Sequence, residues 1–175
     1  PVDQMGDFNV PVSVAVAPNN GLIYVGNAGN FAGGVTNLFE IDPDTGNYTI
    51  IPSVDGLINV PLAINFSNDA SLFVLDGGGF AGGINQILKI DVPQGTETSI
   101  SAGNNLDNEI SDIMVTPSGA VYFVTSNPPL LIEVDPDTGN QFNVSIESIV
   151  DKPSDAVWVY DTDLIFEDGF ETSNN

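Results

Sequence analysis

The chain has 175 residues, of which 42% are hydrophobic, and its formal net charge of -22 reflects 24 acidic residues against only two basic ones. The hydrophobic content indicates a folded domain with a core, and the charge disfavours nucleic acids and anionic membrane surfaces as partners. The chain contains no cysteine and no histidine, which excludes disulfides, thiolate metal sites and Ser-His-Asp catalysis.

A unit of about 50 residues recurs along the chain. GDFNVP at Gly6–Pro11 matches GLINVP at Gly56–Pro61, and LFEIDPDTGN at Leu38–Asn47 returns as LIEVDPDTGN at Leu131–Asn140. Such self-similarity is the signature of a repeat architecture. We divide the chain, as one structural domain, into repeat 1 (1–50), repeat 2 (51–102), repeat 3 (103–149) and a partial fourth repeat with a C-terminal tail (150–175).

Each repeat is predicted to form four short strands. The first alternates apolar and polar residues, which is typical of a strand with one buried face. The second follows a turn, and an alignment without gaps matches 17–25 to 67–75. The Asp-Pro-Asp-Thr-Gly stretch between the third and fourth strands is a hairpin signal. The alternation predicts burial of Val14, Val16, Ile64, Phe66, Ile113 and Val115.

Four strands per repeat, at the period of known propeller blades (~40–50 residues), predict an all-β, β-propeller-like fold. The string that ends in IDPDTG resembles blades of the bacterial NHL, YVTN and SMP-30-like propellers. We therefore expect about three and a half four-stranded blades, either open or completed by another chain or by upstream blades.

The fourth repeat supplies only two predicted strands, Ala156–Tyr160 and Leu164–Phe166. A chain that ends a sheet in this way presents an unpaired edge, which is a template for pairing with another chain. We therefore expect another copy or an upstream domain of the same protein to lie against Ser154–Phe170. The residues predicted to form this assembly edge are Val157, Val159, Leu164, Ile165 and Phe166.

The C-terminal segment LIFEDGFE, Leu164–Glu171, resembles a short element of roughly the form IF-x-DGFE at the end of secreted proteins of Gram-negative bacteria. The resemblance implies an extracellular or cell-surface location. No apolar run approaches the ~20 residues needed to span a bilayer, so we expect no membrane insertion. The sequence begins at Pro1 rather than Met, which is expected of a processed chain or a piece of a longer one.

Several acidic residues are candidates for calcium binding, although no cofactor is required by the sequence. In the turns at Asp42–Asn47 and Asp135–Asn140, aspartates alternate as in a calcium loop, but the terminal Glu of an EF-hand is absent, so ordinary turn chemistry is favoured. The resemblance to SMP-30-like propellers implies a central calcium with ligands on inner strands, where Asn65 is available. The candidate aspartates are Asp42, Asp44, Asp135, Asp137, Asp112 and Asp155.

Two further features are candidate surface sites. The FAGG loops contain Phe31 and Phe80, which we expect to pack against their blades, with a docking patch for another subunit as the alternative. Asn47 and Asn143 lie in sequons and are candidate glycan acceptors. Asn65 also lies in a sequon, but its position in an inner strand disfavours glycosylation.

The favoured function is that of an exported, non-enzymatic structural or interaction protein that self-associates into a fibre or surface assembly. The repetition, the acidity and the absence of the usual catalytic residue types favour it. Two alternatives remain open: a fragment of a calcium-dependent propeller hydrolase of the lactonase type, and a glycan- or ligand-binding module of a cell-surface protein.

Overall fold

The computed structural model describes residues 8–29, 35–92 and 94–144. These residues form twelve strands in three four-stranded antiparallel sheets, each built from one continuous segment of the chain. The all-β, propeller-like fold predicted from the repeats is therefore confirmed. Within this part of the chain, no helix is long and apolar enough to cross a membrane.

The strands follow one another in chain order across each sheet, so that every neighbour pair is a hairpin. Sheet 1 contains β1 (Pro11–Val16), β2 (Ile23–Ala28), β3 (Thr36–Ile41) and β4 (Tyr48–Ile51). Sheet 2 contains β5 (Pro61–Phe66), β6 (Leu72–Gly77), β7 (Asn85–Asp91) and β8 (Thr96–Ala102). Sheet 3 contains β9 (Ile110–Val115), β10 (Val121–Ser126), β11 (Pro129–Val134) and β12 (Gln141–Asn143).

The Asp-Pro-Asp-Thr-Gly stretch closes the hairpin between β3 and β4. The Asp42 carboxylate accepts hydrogen bonds from the Asp44 backbone N–H at 2.9 Å and from the Thr45 hydroxyl at 2.7 Å. Gly46 follows with φ of 69°, a left-handed conformation that favours glycine. The repeated motif is thus explained by a side chain that stabilises its own turn.

The three sheets stack face to face and enclose two apolar cores. One core lies between sheets 1 and 2 and the other between sheets 2 and 3, so sheet 2 is buried on both faces. The first core includes Tyr24, Leu38, Ile51, Ile64, Phe66, Leu72, Val74, Leu88 and Ile90. The second includes Ala63, Phe73, Leu75, Ile87, Ile113, Val115, Val121, Phe123, Ile132 and Val134.

The predicted burial of the first strand holds in sheets 2 and 3 but is wrong in sheet 1. Val14 and Val16 are 65% and 59% exposed, whereas Ile64, Phe66, Ile113 and Val115 are buried. The alternation was identified correctly, but its apolar side in β1 faces away from sheet 2. In sheets 2 and 3 the same side is covered by the preceding sheet, and no sheet among the described residues precedes sheet 1.

The alignment of the second strands without gaps is also wrong by one residue. The turn after β1 is closed by a hydrogen bond from Ala17 N to Leu22 O, whereas the turn after β5 is closed from Ser67 N to Ser71 O and is one residue shorter. Ile23 therefore occupies the position of Leu72. A slip of one residue exchanges the two faces of a strand, so this turn decides which side chains enter the core.

The repeated Asn-Val-Pro motif anchors the start of each of the first two sheets. The Val10 N–H donates to Asn27 Oδ1 at 2.9 Å. In sheet 2 the N–H groups of Asn59 and Val60 donate to Asp76 Oδ1 at 2.9 and 2.6 Å. Asp76 is fully buried, and this burial raises its pKa, while the two N–H donors act in the opposite direction.

The different environments of β1 and β5 give a first prediction. We expect Ile64→Val to lower the free energy of unfolding by about 1 kcal/mol, because it removes a buried methylene group. Val14→Thr on the exposed side of β1 is expected to change the free energy of unfolding by less than about 0.5 kcal/mol. Urea denaturation of the monomeric protein measures both values, and equal losses would contradict the assigned register of β1.

Candidate functional site

One face of sheet 1 forms an apolar surface that no second sheet covers within the described residues. Cross-strand pairing places its side chains in two rows that run from β1 to β4. We call this surface the end face, and its residues are Val14, Val25, Phe39 and Ile50 in one row and Val16, Ile23, Ile41 and Tyr48 in the other.

The end face is open to solvent mainly along its outer strands. In addition to the two valines of β1, Ile50 in β4 is 48% exposed. Phe39 is fully buried because the ring of Phe8 stacks on it, with 4.2 Å between the ring centroids. Phe8 also contacts Tyr48 edge to face at 5.8 Å. The chain itself therefore covers the centre of the end face and leaves its β1 side exposed.

The end face has counterparts in the other two sheets. In sheet 2 the corresponding row is Ile64, Val74 and Leu88, and all three are buried against sheet 1. In sheet 3 the row is Ile113, Phe123 and Ile132, buried against sheet 2. The same type of surface is therefore used twice within the chain to receive a preceding sheet, which indicates what the end face can bind.

At the other end of the stack, the outer face of sheet 3 is partly apolar and partly exposed. Phe142 is 51% exposed and Val144 is 44% exposed, whereas Met114 and Val124 are buried. The predicted assembly edge lies outside the described residues: Val157, Val159, Leu164, Ile165 and Phe166. The sequence directed attention to that end of the chain and missed the end face, whose signal is the set of apolar residues of β1.

The loop between β6 and β7 leaves most of its phenylalanine exposed. Gly78–Ala81 form a 3-10 turn, closed by a hydrogen bond from Gly83 N to Gly78 O at 2.8 Å. This turn places Phe80 on its outer side, where the side chain is 62% exposed. The ring nevertheless borders β6, since a Cβ added at Gly77 would lie 3.0 Å from Phe80 Cδ2, so the expected packing on the blade is partial. Phe31 lies outside the described residues.

The predicted calcium ligands are not brought together. Asp42 and Asp135 each accept hydrogen bonds within their own turns, and these bonds lower the pKa of both carboxyl groups. Asp112 lies in β9 opposite Val124, and Asp155 is outside the described residues. In the described ranges, no group of three or more acidic side chains is arranged to hold a metal ion.

The candidate glycan acceptors differ in accessibility. Asn47 and Asn143 are both exposed, the former beside the turn after β3 and the latter in β12. Asn65 is half-buried in β5, and its amide donates to the Ile113 carbonyl at 3.4 Å. The geometry therefore leaves Asn47 and Asn143 as the accessible sequons of the described residues.

A polar cleft of about 850 Å³ lies between sheets 1 and 2, near the turns after β1 and β5. Inside it, the hydroxyl of Tyr24 donates a hydrogen bond to Glu40, and burial followed by this bond raises the Tyr24 pKa above its usual range. Lys89 lies at the rim. Sequence reasoning missed this cleft, because its lining comes from turns that are distant in the chain.

Comparison with known proteins supports the fold but does not identify a function. No family model matches the chain, and no curated protein matches it. A solved nidogen–laminin complex matches with a TM-score of 0.62 at 13% identity, covering 79% of this chain and 49% of that one. Hydrazine synthase of Kuenenia stuttgartiensis matches with a TM-score of 0.55 at 17% identity, covering 78% and 36%.

A gluconolactonase-family protein also matches, with a TM-score of 0.55 at 15% identity, covering 76% of this chain and 48% of that one. At these identities the similarity shows a propeller-type fold alone. The chain spans about half or less of the length of the three solved structures.

Proposed function

We propose that this chain is an exported, non-enzymatic interaction protein that assembles by packing the C-terminal end of one copy against the end face of the next. The observation that carries the proposal is the exposed apolar row on β1, at positions that are buried by a preceding sheet in both other repeats. The resemblance of the C-terminal tail to that of secreted proteins supports export.

The C-terminal end of a second copy is the occupant with the right chemistry. Inside the chain, sheet 1 presents to sheet 2 the same kind of face that sheet 2 presents to sheet 3. A copy that continued this stacking would therefore place its C-terminal end on the end face of its neighbour, and the sequence of that end includes the apolar segment 156–166. Such a contact joins two different surfaces, and if it does not close into a ring it generates a filament.

Three of the described carboxylates hold the backbone in place by accepting hydrogen bonds from backbone N–H groups. Asp42 and Asp135 stabilise hairpins, and Asp76 anchors the start of sheet 2 through backbone N–H groups. These carboxylates are therefore engaged in holding the backbone, which favours a structural protein over the lactonase-type alternative.

The net charge of -22 should oppose the association of two copies. We therefore expect salt to strengthen assembly: between about 0.02 M and about 0.5 M NaCl, the dissociation constant should fall about tenfold, because screening weakens the repulsion between like charges. Sedimentation velocity across a dilution series measures the effect. Assembly that weakens with salt would indicate an electrostatic interface and would contradict the proposed apolar one.

The proposal as a whole is tested by the particle that the chain of residues 1–175 forms. We expect a species larger than the monomer in sedimentation at concentrations of about 10–100 μM, and extended particles by electron microscopy. A stable monomer at every concentration would overturn self-association, and a secreted-fraction assay that finds the protein only inside the producing cell would overturn export.

A further inference from the structure

A buried carboxylate oxygen lies at the connector between sheets 1 and 2 without a hydrogen-bond donor from the described residues. Glu97 in β8 is only 6% exposed. Its Oε2 accepts a hydrogen bond from the Leu57 backbone N–H at 2.5 Å, whereas its Oε1 has no partner in that part of the chain. The buried hydroxyl of Ser53, on the same connector, also lacks a partner there. Burying a carboxylate oxygen without a hydrogen-bond donor or a cation is energetically unfavourable, so we expect a water molecule or an ion from solvent to bind it.

The equivalent position in sheet 3 shows which group is missing. Gln141 in β12 corresponds to Glu97, because both pair with the last core residue of the third strand. Gln141 Oε1 accepts from the Asn105 N–H at 2.9 Å, as Glu97 Oε2 accepts from the preceding connector. Gln141 Nε2 donates to Ser101 Oγ and to the Gly103 carbonyl, both at 3.0 Å. In sheet 3 the amide N–H₂ group of Gln141 thus has two hydrogen-bond acceptors. In sheet 2 the corresponding atom is the Glu97 Oε1 oxygen, which has no donor from the described residues.

The positions of Glu97 and Gln141 share a second feature, which supports their equivalence. Gly95 and Gly139 each lie two residues before the side chain in question. A Cβ on Gly95 would come within 1.9 Å of the Pro52 carbonyl oxygen, and a Cβ on Gly139 within 2.5 Å of the Ile100 carbonyl oxygen. In both sheets a carbonyl near the end of the preceding sheet, that of Pro52 just after β4 or of Ile100 in β8, thus packs directly on the turn glycine that precedes the fourth strand.

We propose that a divalent cation of the calcium type binds at this connector, between Glu97, Asp55 and Ser53. Asp55 brings a second carboxylate to the site, because its Oδ2 accepts a hydrogen bond from the Glu97 N–H at 2.9 Å. Asp55 is exposed, so it offers the ion a route from solvent. Carboxylate and other oxygen ligands, completed by water, are the donors that Ca²⁺ prefers.

The charge distribution supports a cation at this position. Lys89 is the only basic residue in the described ranges, and its ammonium lies over the ring of Phe73 at 5.8 Å, on the other face of sheet 2. By strand register, Lys89 and Glu97 therefore project from opposite faces of sheet 2. A strongly acidic protein attracts divalent cations, and a bound ion would link sheet 1 to sheet 2 through the connector.

The test uses the whole chain after removal of divalent ions with EDTA, with Ca²⁺ as the probe. We expect Ca²⁺ to raise the Tm of the wild type by about 5 °C in a saturable manner, because an ion that binds only the folded state stabilises it. Glu97→Gln introduces the amide of the equivalent position, so its Tm should no longer respond to Ca²⁺ and should equal or exceed that of the Ca²⁺-free wild type. Asp44→Asn is the matched control, because it removes the same charge from an exposed turn and should retain the full response.

Isothermal titration with Ca²⁺ provides a second measurement that does not depend on Glu97→Gln folding. Asp55→Asn should weaken Ca²⁺ binding by about tenfold or more, since it removes one of two carboxylates. Two results would overturn the proposal: a wild-type Tm that does not respond to Ca²⁺, or a full response to Ca²⁺ in Glu97→Gln.

Discussion

The triple variant Val14→Thr, Val16→Thr, Ile50→Thr is expected to remain monomeric at concentrations at which the wild type assembles. Threonine keeps the β-branched shape and the net charge. When a second sheet packs on the end face, however, each new hydroxyl would be buried without a hydrogen-bond partner. At about 1 kcal/mol or more for each hydroxyl, the dissociation constant should rise at least about 100-fold. Sedimentation velocity measures the change.

The same substitutions should leave the monomer folded, because all three side chains are exposed in it. Val54→Thr is the matched control, since Val54 is 62% exposed but lies on the connector rather than on the end face. It should assemble as the wild type does. Assembly of the triple variant with unchanged affinity would show that the end face is not the contact surface.

Replacement of Asp76 by alanine is expected to lower the free energy of unfolding by about 2–5 kcal/mol, because it leaves the buried N–H groups of Asn59 and Val60 without an acceptor. Asp76→Asn should restore most of this loss, since an amide oxygen at the equivalent position of sheet 1, that of Asn27, already accepts the Val10 N–H. Urea denaturation at neutral pH compares the three proteins.

The comparison of the wild type with Asp76→Asn also has a defined pH dependence. Because burial raises the Asp76 pKa above that of an ordinary aspartate, the folded chain holds the proton more tightly than the unfolded chain does. The contribution of Asp76 to the free energy of unfolding therefore falls as pH rises through the folded-state pKa. The free energy of unfolding of Asp76→Asn should therefore rise relative to that of the wild type as the pH rises above the range in which an ordinary aspartate titrates. A free energy of unfolding that instead rises for the wild type relative to Asp76→Asn would contradict the assignment.

The local parts of the fold could be predicted from the sequence, because their causes are local. The Asp-Pro-Asp-Thr-Gly turn is fixed by the Asp42 side chain and by Gly46, all within five residues of chain, and the alternation in β5 and β9 reports correctly which side is buried. The wrong prediction for Val14 has the opposite cause. Alternation shows that a strand has an apolar side, but burial depends on which sheet lies against it, and that is decided by distant residues.

The candidate site was harder to predict for the same reason. The end face joins side chains from four strands, and the cation site pairs Glu97 with a connector about 40 residues away in sequence. Glu97 and Gln141 could have been compared directly, because each follows a turn glycine by two residues.

The stacking of the three sheets determines the order in which they should unfold locally. Sheet 2 is the only described sheet packed on both faces, and every residue of its strand β6 is buried. Since in the described part of the chain each end sheet shares its apolar core with sheet 2, local unfolding should begin at the two ends of the stack and reach the middle last, as in a linear array with nearest-neighbour coupling. Adding a copy at the end face would turn an end sheet into an interior one, so that growth of the array would itself protect the sheets already in it.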